Sequence, residues 1–318
     1  SSDLNTDEFA LANKLKHAIG RAANIENPEL AARFLVVATS VKKMDETASL
    51  FKMLDFVLNL SSLSEENYLR VVNASSIAAT EGNYLVEWKT QLNDALTNKR
   101  IRLEHYPVIT TDGALIHNES PVRLQLESNG PWHCAGEFIH WATQLKLIQS
   151  IDELVLETAV TLLAQGAEPL CINVSANAMC DHKFSQKATK LIKQKLTDPS
   201  QLSFEISEIA VFDNLEEFKY FSSKLIAAGA HVGVEHVGMR ISRLGELHDI
   251  GLSYIKFDAS IVRGIDANET NKTLLRGLCT VAHSIGLQAI AEGVNNENEV
   301  QWLKEIGIDG VTGPGVKR

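Results

Sequence analysis

The pattern of apolar and polar positions changes character near residue 100. Before that point, TDEFALANKLKHAIGRAA and ETASLFKMLDFVLNLSS carry apolar residues at helical spacing, and the apolar run RFLVVATSV between them is typical of a strand. The polar stretch NASSIAATEGN follows, and after it YLVEWKTQLNDALTNKR indicates a helix. The pattern predicts a small α/β segment over residues 1–75, a linking helix over 76–99 and a second domain over 100–318.

The second domain opens with two strand-like runs and then alternates helices with short apolar strands. IRLEHYPVIT and ALIHNESPVRLQL are separated only by Thr111-Asp112-Gly113, and so short a connection requires an antiparallel hairpin. Six strand-like runs follow: PLCINVS, LSFEIS, HVGVEHV, LSYIKFD, LQAIAEGV and DGVTG. Helices are predicted near residues 137–165, 182–196, 214–228, 241–249, 268–285 and 296–306. The order predicts an α/β fold, a TIM-type barrel whose first strand runs antiparallel.

Polar side chains stand at the carboxyl ends of most of these strands. In a parallel barrel those ends share the face on which active sites lie. Any single one of them is more readily a loop-facing polar residue, but their repetition in successive units favours one shared site. The residues are Glu119, Asn173, Glu205, Glu235, Lys256, Glu292 and Thr312.

Carboxylate and amide oxygens at one mouth are typical ligands of Mg²⁺ and Mn²⁺. Two such ions can bind the oxygens of a phosphodiester and activate a water molecule. The candidate metal ligands are Glu119, Asn173, Glu205 and Glu235. Lys256 is suited to hold a phosphate oxygen or to polarise the attacking water, and it forms a candidate catalytic set with Glu119 and Glu292.

Composition narrows the range of partners. The chain has 30 Lys and Arg against 40 Asp and Glu, a net charge of -10, which disfavours DNA or RNA because nucleic-acid binding needs a basic face. The 4 cysteines are scattered without a C-x-x-C pair, so neither structural zinc nor a disulfide framework is expected. No apolar run reaches the roughly 18 residues of a membrane helix.

Five short motifs give residues 100–318 a resemblance to EAL domains, the family of cyclic di-GMP phosphodiesterases and their non-catalytic relatives. They are ESPVR from Glu119 to Arg123, CINVSAN at Asn173, FEISEIA at Glu205 and Glu208, IKFD at Lys256 and Asp258, and AEGVNNENE at Glu292. The resemblance implies a phosphodiesterase fold with a site for Mg²⁺ or Mn²⁺. It also implies ligand-binding roles for Arg123, Glu292, Tyr106, Asn173 and Glu208.

The metal site departs from the pattern of active members of that family. EHVG stands where they carry Asp-Asp-Phe-Gly. The extra methylene of Glu235 shifts the first carboxylate, and His236 replaces the second carboxylate by an imidazole. Imidazole is a poorer ligand for Mg²⁺, which weakens the predicted site. Further replacements are Thr312 for a long amide, Ser120-Pro121 for Ala-Leu, and Tyr106 for Gln. We therefore expect Mg²⁺ or Mn²⁺ to bind weakly or not at all, while Arg123 and Glu292 remain available to a ligand.

The first 75 residues resemble the C-terminal half of a degenerate GGDEF domain, without a Gly-Gly-Asp-Glu-Phe site. Such a segment joined to this barrel is similar to GGDEF-EAL receptors of the LapD type, which bind cyclic di-GMP without hydrolysing it and dimerise. The resemblance implies a homodimer through the barrel, a membrane-anchored module upstream in the parent protein, and a location at the cytoplasmic face of the bacterial inner membrane. Three functions stay open: a cyclic di-GMP receptor with an inactive site, a slow metal-dependent phosphodiesterase, and a ligand-independent protein-interaction scaffold.

Overall fold

The computed structural model describes the backbone of residues 36–39, 69–72 and 74–316, and the side chains of residues 85–316. The chain divides into two units, Ser1–Gln91 and Leu92–Arg318. The helices predicted in TDEFALANKLKHAIGRAA and ETASLFKMLDFVLNLSS lie outside the described residues and stay predictions. The same holds for the domain boundaries and for the GGDEF-like character of the first segment.

In the first unit, the run RFLVVATSV contains strand β1 (Val36–Thr39), which pairs in parallel with β2 (Leu69–Val72). Helix α1 (Ala74–Thr97) follows and contains most of the predicted linking helix. The helix ends before the predicted residue 99 because Lys99 adopts a left-handed backbone conformation with φ of 50°.

The barrel begins with shorter strands than the apolar runs predict. IRLEHYPVIT is split into β3 (Ile101–Leu103) and β4 (Tyr106–Thr110), and ALIHNESPVRLQL into β5 (Leu115–Glu119) and β6 (Val122–Gln125). Pro121 lacks an N–H to donate to a strand partner, so the second run breaks there. Strands β3 and β6 leave the barrel and form a separate three-stranded sheet with β7 (Trp132–Cys134). The prediction of two continuous strands is therefore wrong, whereas the predicted antiparallel hairpin, formed by β4 and β5, is confirmed.

The remaining elements alternate between helix and strand. They are α2 (Ala135–Gln144), α3 (Ile148–Ala164), β8 (Leu170–Asn173), α4 (Ala176–Met179), α5 (His182–Lys195), β9 (Leu202–Ser207), α6 (Glu208–Asp213), α7 (Leu215–Ile226), β10 (His231–Val237), β11 (Tyr254–Phe257), α8 (Ala259–Val262), α9 (Glu269–Ser284), β12 (Gln288–Ala291), α10 (Glu297–Ile306) and β13 (Gly310–Val311). Two 3₁₀ helices, Pro199–Gln201 and Ile241–Leu247, complete the order.

Eight strands close the barrel in the order β4, β5, β8, β9, β10, β11, β12, β13, and β13 pairs back to β4. Strand β4 runs antiparallel to both of its neighbours, and the other pairings are parallel. The predicted TIM-type barrel with an antiparallel first strand is thus confirmed. Its parallel strands direct their carboxyl ends to one face.

Two predicted helices differ in the structure. The segment 137–165 forms two helices, α2 and α3, because Lys146 between them adopts a positive φ of 59°. The segment 241–249 forms the 3₁₀ helix Ile241–Leu247 rather than an α-helix. Gly245 lies inside that short segment and lowers its α-helical propensity.

Candidate functional site

The carboxyl ends of the barrel strands surround a cavity of about 320 Å³. Most of the polar strand-end residues that the sequence singles out line it, and three further residues near them in sequence, two polar and one proline, also line it. The lining includes Glu119, Asn173, Glu235, Glu292 and Thr312, together with His236, Asp258 and Pro121. The fold therefore brings together side chains that are up to about 190 residues apart in sequence (Glu119 to Thr312).

A group that we name the floor cluster consists of the buried residues Lys256, Glu205 and Tyr254 and the half-buried Glu119. Lys256 and Tyr254 are two residues apart on β11, so both point into the barrel. The Lys256 ammonium lies 2.6 Å from Glu205 Oε1 and also pairs with Glu119. The Tyr254 hydroxyl donates to the same Glu205 oxygen at 2.8 Å. Burial alone lowers the pKa of Lys256, but the Glu205 and Glu119 carboxylates outweigh burial and raise that pKa well above its usual range.

Two buried polar atoms at the floor cluster have no hydrogen-bond partner within the described residues. His117 Nε2 lies 3.7 Å from Glu205 Oε1, and within the described residues neither this nitrogen nor Glu205 Oε2 has a hydrogen-bond partner. Burial, assisted by the nearby Lys256 charge, lowers the pKa of His117 to about 3, so its imidazole is neutral. Lys256 is therefore the cation on which the buried Glu205 carboxylate depends.

A second group, the mouth cluster, lies at the cavity surface and consists of His236, Glu235, Glu292 and Asp258. His236 Nδ1 lies 2.9 Å from Glu292 Oε2 and 3.6 Å from Asp258 Oδ2, while its Nε2 lies 3.7 Å from Glu235 Oε2. The hydrogen bond with Glu292 outweighs burial and raises the pKa of His236 to about 9, so the imidazole is cationic at neutral pH. His236 also holds a left-handed backbone conformation, φ 55°, which is uncommon outside glycine.

Asn173 and Glu235 face each other across the cavity wall. The Asn173 amide nitrogen donates to both Glu235 carboxylate oxygens, at 3.1 and 3.2 Å. Burial is the main cause that raises the pKa of Glu235, and burial likewise raises the pKa of Glu292. Asn173 therefore presents its amide nitrogen to Glu235, and its oxygen becomes available to a metal only after the amide rotates.

The donor types suit one hard divalent cation better than two. The predicted ligands all offer oxygen donors, as Mg²⁺ and Mn²⁺ require: Glu119, Asn173, Glu205 and Glu235. Such an ion, when bound, supplies positive charge beside a phosphate oxygen. The ligand atoms of Glu235, His236 and Glu292 lie within 4.8 Å of one another, but the imidazole among them fits Mg²⁺ poorly.

Two predicted ligand-binding residues, Arg123 and Tyr106, are not part of the cavity lining, and they meet at Glu104. Arg123 Nη2 lies 2.8 Å from Glu104 Oε2, and the Tyr106 hydroxyl donates to the same oxygen at 2.8 Å. Tyr106 is paired with Glu119 across the β4–β5 hairpin, which fixes its position beside the cavity lining. We name Glu104, Arg123, Tyr106 and Arg102 the rim cluster.

The remaining predicted ligand-binding residue, Glu208, has other contacts. Its buried carboxylate accepts backbone N–H groups of Gly238, Met239 and Arg240, at 3.2, 2.9 and 2.9 Å. The structure therefore places Glu208 under the loop that follows β10 and not in the cavity lining. Its role in ligand binding stays a prediction. Its observed contacts stabilise the loop that follows β10.

Sequence reasoning did not assign a role to four residues that contact the site: Glu104, His117, Tyr254 and Asp258. Three of them lie two positions before a residue that it did assign, namely Tyr106, Glu119 and Lys256. In extended chain, residues two apart share a face, so this spacing was the available signal.

Comparisons with known proteins place these observations in a family. The sequence profile of the family described as "EAL domain" matches residues 89–318. Cyclic di-GMP phosphodiesterase PdeF of Escherichia coli is 24% identical over 233 residues, which are 72% of this chain and 31% of that protein. Signaling protein YkoW of Bacillus subtilis is 24% identical over 325 residues, which are 98% of this chain and 40% of that protein. The chain thus spans about a third to two fifths of the length of these curated relatives.

Solved structures share the fold. The S helix-GGDEF-EAL portion of Vibrio cholerae LapD, bound to cyclic di-GMP, superimposes with a TM-score of 0.70 at 20% identity, covering 98% of this chain and 74% of that chain. The FimX EAL domain of Xanthomonas citri, also in complex with cyclic di-GMP, gives a TM-score of 0.69 at 22% identity, covering 74% and 94%. These structures show the fold, and the profile match, which spans the entire barrel, shows that the chain belongs to the EAL domain family.

Proposed function

We propose that this chain is a cyclic di-GMP receptor whose phosphodiesterase site is inactive. One observation carries the proposal: the acidic groups of the cavity already enclose cationic side chains. Lys256 lies between Glu119 and Glu205 in the floor cluster, and His236 lies among the carboxylates of the mouth cluster. An anionic ligand therefore meets a partly neutralised cavity before any divalent ion binds.

Ligand recognition requires fewer groups than hydrolysis. Relatives of this chain are named cyclic di-GMP phosphodiesterases, and the LapD and FimX structures hold that ligand, which supports the same ligand class here. Arg123 is suited to a charge-assisted contact with a phosphate or a guanine edge. Glu292, at the mouth of the cavity, is suited to accept from the N–H groups of a guanine edge.

Hydrolysis by a pair of metal ions depends on the number and charge of the ligands. His236 brings a positive charge to the place where the second ion needs a carboxylate, and Lys256 engages two of the oxygen ligands of the first. A metal ion must displace these contacts to bind. This competition supports a receptor over an enzyme.

A slow phosphodiesterase is the second candidate, because the oxygen donors of one metal site are all present. A calorimetric titration with cyclic di-GMP, in EDTA and again in excess Mn²⁺, separates the two functions. We expect the same affinity in both and no linear dinucleotide on chromatography after long incubation. Binding that requires Mn²⁺, or accumulation of the linear product, contradicts the receptor. Absence of binding in both contradicts both candidates and favours the ligand-independent scaffold.

The proposal includes a homodimer through the barrel and a parent protein held at the cytoplasmic face of the inner membrane by an upstream module. Both stay predictions that rest on the resemblance to receptors of the LapD type. Among the described residues, no helix combines the length and the apolar character that crossing a membrane requires. Sedimentation of the purified chain at several concentrations, with and without ligand, tests the dimer.

A further inference from the structure

We propose that Glu104 is a built-in competitor of the ligand: its carboxylate occupies the Arg123 guanidinium, and an incoming phosphate must take the guanidinium from it. The inference rests on the proposed function, because it requires Arg123 to bind the ligand. It adds a residue that lowers the affinity of the site and that none of the family motifs in this sequence contains.

The contacts of the rim cluster converge on one carboxylate. Glu104 Oε2 lies 2.8 Å from Arg123 Nη2 and accepts the Tyr106 hydroxyl at 2.8 Å. A further contact of the Arg123 guanidinium, with the Val122 carbonyl, is long at 3.4 Å, so Glu104 is the stronger acceptor. The hydrogen bond from Tyr106 and the charge of Arg123 hold the pKa of Glu104 below its usual range, so the carboxylate is charged at neutral pH.

The position of Glu104 beside the cavity follows from the backbone. Its N–H donates to the carbonyl of Pro121 at 3.1 Å, and Pro121 lines the cavity. Tyr106 stands opposite Glu119, which lines the same cavity. Two residues of the cavity lining, Pro121 and Glu119, therefore hold the rim cluster next to the cavity.

Glu104 also contacts a second cationic side chain, Arg102. Arg102 Nη2 donates to Glu104 Oε1 at 3.0 Å, and the Arg102 guanidinium lies over the Trp132 ring at 4.7 Å from its centroid. When a ligand phosphate takes Arg123, the Glu104 carboxylate keeps Arg102 as a partner. Carboxylate and phosphate both accept the planar guanidinium fork, so the exchange replaces one charge-assisted contact with another.

The exchange has a measurable cost because the half-buried Arg123–Glu104 ion pair must be broken. Removing the negative charge with Glu104→Gln should tighten cyclic di-GMP binding by about two- to fivefold, the range that an ion pair near the surface contributes. The matched control is Glu216→Gln on α7, which removes a carboxylate paired with Lys219 at 2.8 Å and leaves the rim intact. We expect the control to bind as the unchanged protein does. Calorimetry at one fixed ionic strength measures all three proteins.

The double variant Glu104→Gln/Arg123→Gln attributes the gain to Arg123. In a background with Arg123→Gln, we expect weaker binding and no further change from Glu104→Gln, measured by displacement of a fluorescent cyclic di-GMP analogue at high protein concentration. Unchanged or weaker affinity of Glu104→Gln, with the unchanged protein still binding, overturns the inference alone. A gain that persists without Arg123, or that also occurs in Glu216→Gln, overturns it as well. Absence of binding to every variant overturns the proposed function and the inference together.

Discussion

The floor and mouth clusters solve one electrostatic problem in different ways. Each places a single cation among carboxylates, but Lys256 is completely buried whereas the His236 side chain is 58% exposed. Water does not reach the buried Lys256, so the lysine and the Glu205 carboxylate beside it neutralise each other. The exposed histidine shares its charge with solvent and can lose it by titration. The charge of the floor cluster is therefore fixed by the fold, whereas the charge of the mouth cluster can change with pH.

The largest test of this difference removes the buried cation. Lys256→Met leaves the Glu205 carboxylate, only 1% exposed, without its ammonium partner. Breaking a buried ion pair on one side costs about 3–5 kcal/mol, so we expect a loss of that order in the free energy of unfolding. Urea denaturation followed by circular dichroism measures it.

A second buried lysine provides the matched control for that variant. Lys272 is 4% exposed, but its partner Glu269 has a side chain that is 83% exposed. Lys272→Met leaves a carboxylate that water can solvate, so its loss should stay near 1 kcal/mol. Equal losses in the two variants would show that burial of the lysine, and not of its partner, decides the cost.

A smaller change probes the neutral donor of the floor cluster. Tyr254→Phe removes the hydroxyl that donates to Glu205 at 2.8 Å and leaves Lys256 in place. A buried acceptor that loses one of two donors should cost about 1–2 kcal/mol in the free energy of unfolding, again measured in urea. The same substitution made together with Lys256→Met should cost more than in the unchanged protein, because no strong donor to Glu205 then remains. Simple additivity would show that the two donors act independently.

The sequence predicted the fold and the cavity lining better than it predicted the partners of each side chain. Strand ends such as Glu119 and Glu292 were recognisable because the barrel repeats one unit and brings its strand ends to one face. The spacing of Tyr254 and Glu104 from Lys256 and Tyr106 indicates a shared face, but it does not reveal their partners Glu205 and Arg123, which lie on other strands. Gly233 shows the reason: a Cβ there would lie 2.2 Å from the Tyr254 ring, so the two residues are fitted to each other across neighbouring strands. Such pair fits leave no signal in a single sequence.

At the mouth, His236→Asp replaces the cation by a carboxylate. Aspartate tolerates the left-handed backbone that His236 occupies, so the loop should keep its conformation. We expect Mn²⁺ to bind more tightly by on the order of tenfold, because a ligand is gained and a positive charge is lost. Calorimetric titration with Mn²⁺ measures the affinity, and chromatography of cyclic di-GMP incubations shows whether hydrolysis returns.

The neutral variant His236→Gln separates the two causes of that gain. It removes the imidazolium charge and adds no carboxylate, so its Mn²⁺ affinity should lie between those of the unchanged protein and His236→Asp. Unchanged Mn²⁺ affinity in both variants would place His236 outside any metal site and leave it only as a counter-ion of Glu292.

The smallest effect is the pH dependence that distinguishes the mouth from the floor. The fold raises the pKa of His236 from 6.5 to about 9, so the protonated imidazole stabilises the folded state below about pH 6.5, and this contribution is lost as pH rises through about 9. The raised pKa of Glu235 acts in the same direction, because its deprotonation at rising pH also disfavours the folded state. Because His236 is more than half exposed, we expect its part of the fall to be about 1 kcal/mol or less. Urea unfolding at a series of pH values between 6.5 and 9 should show that the free energy of unfolding falls in the unchanged protein and falls less in His236→Gln. Equal slopes in the two proteins would mean that His236 does not contribute to the pH dependence.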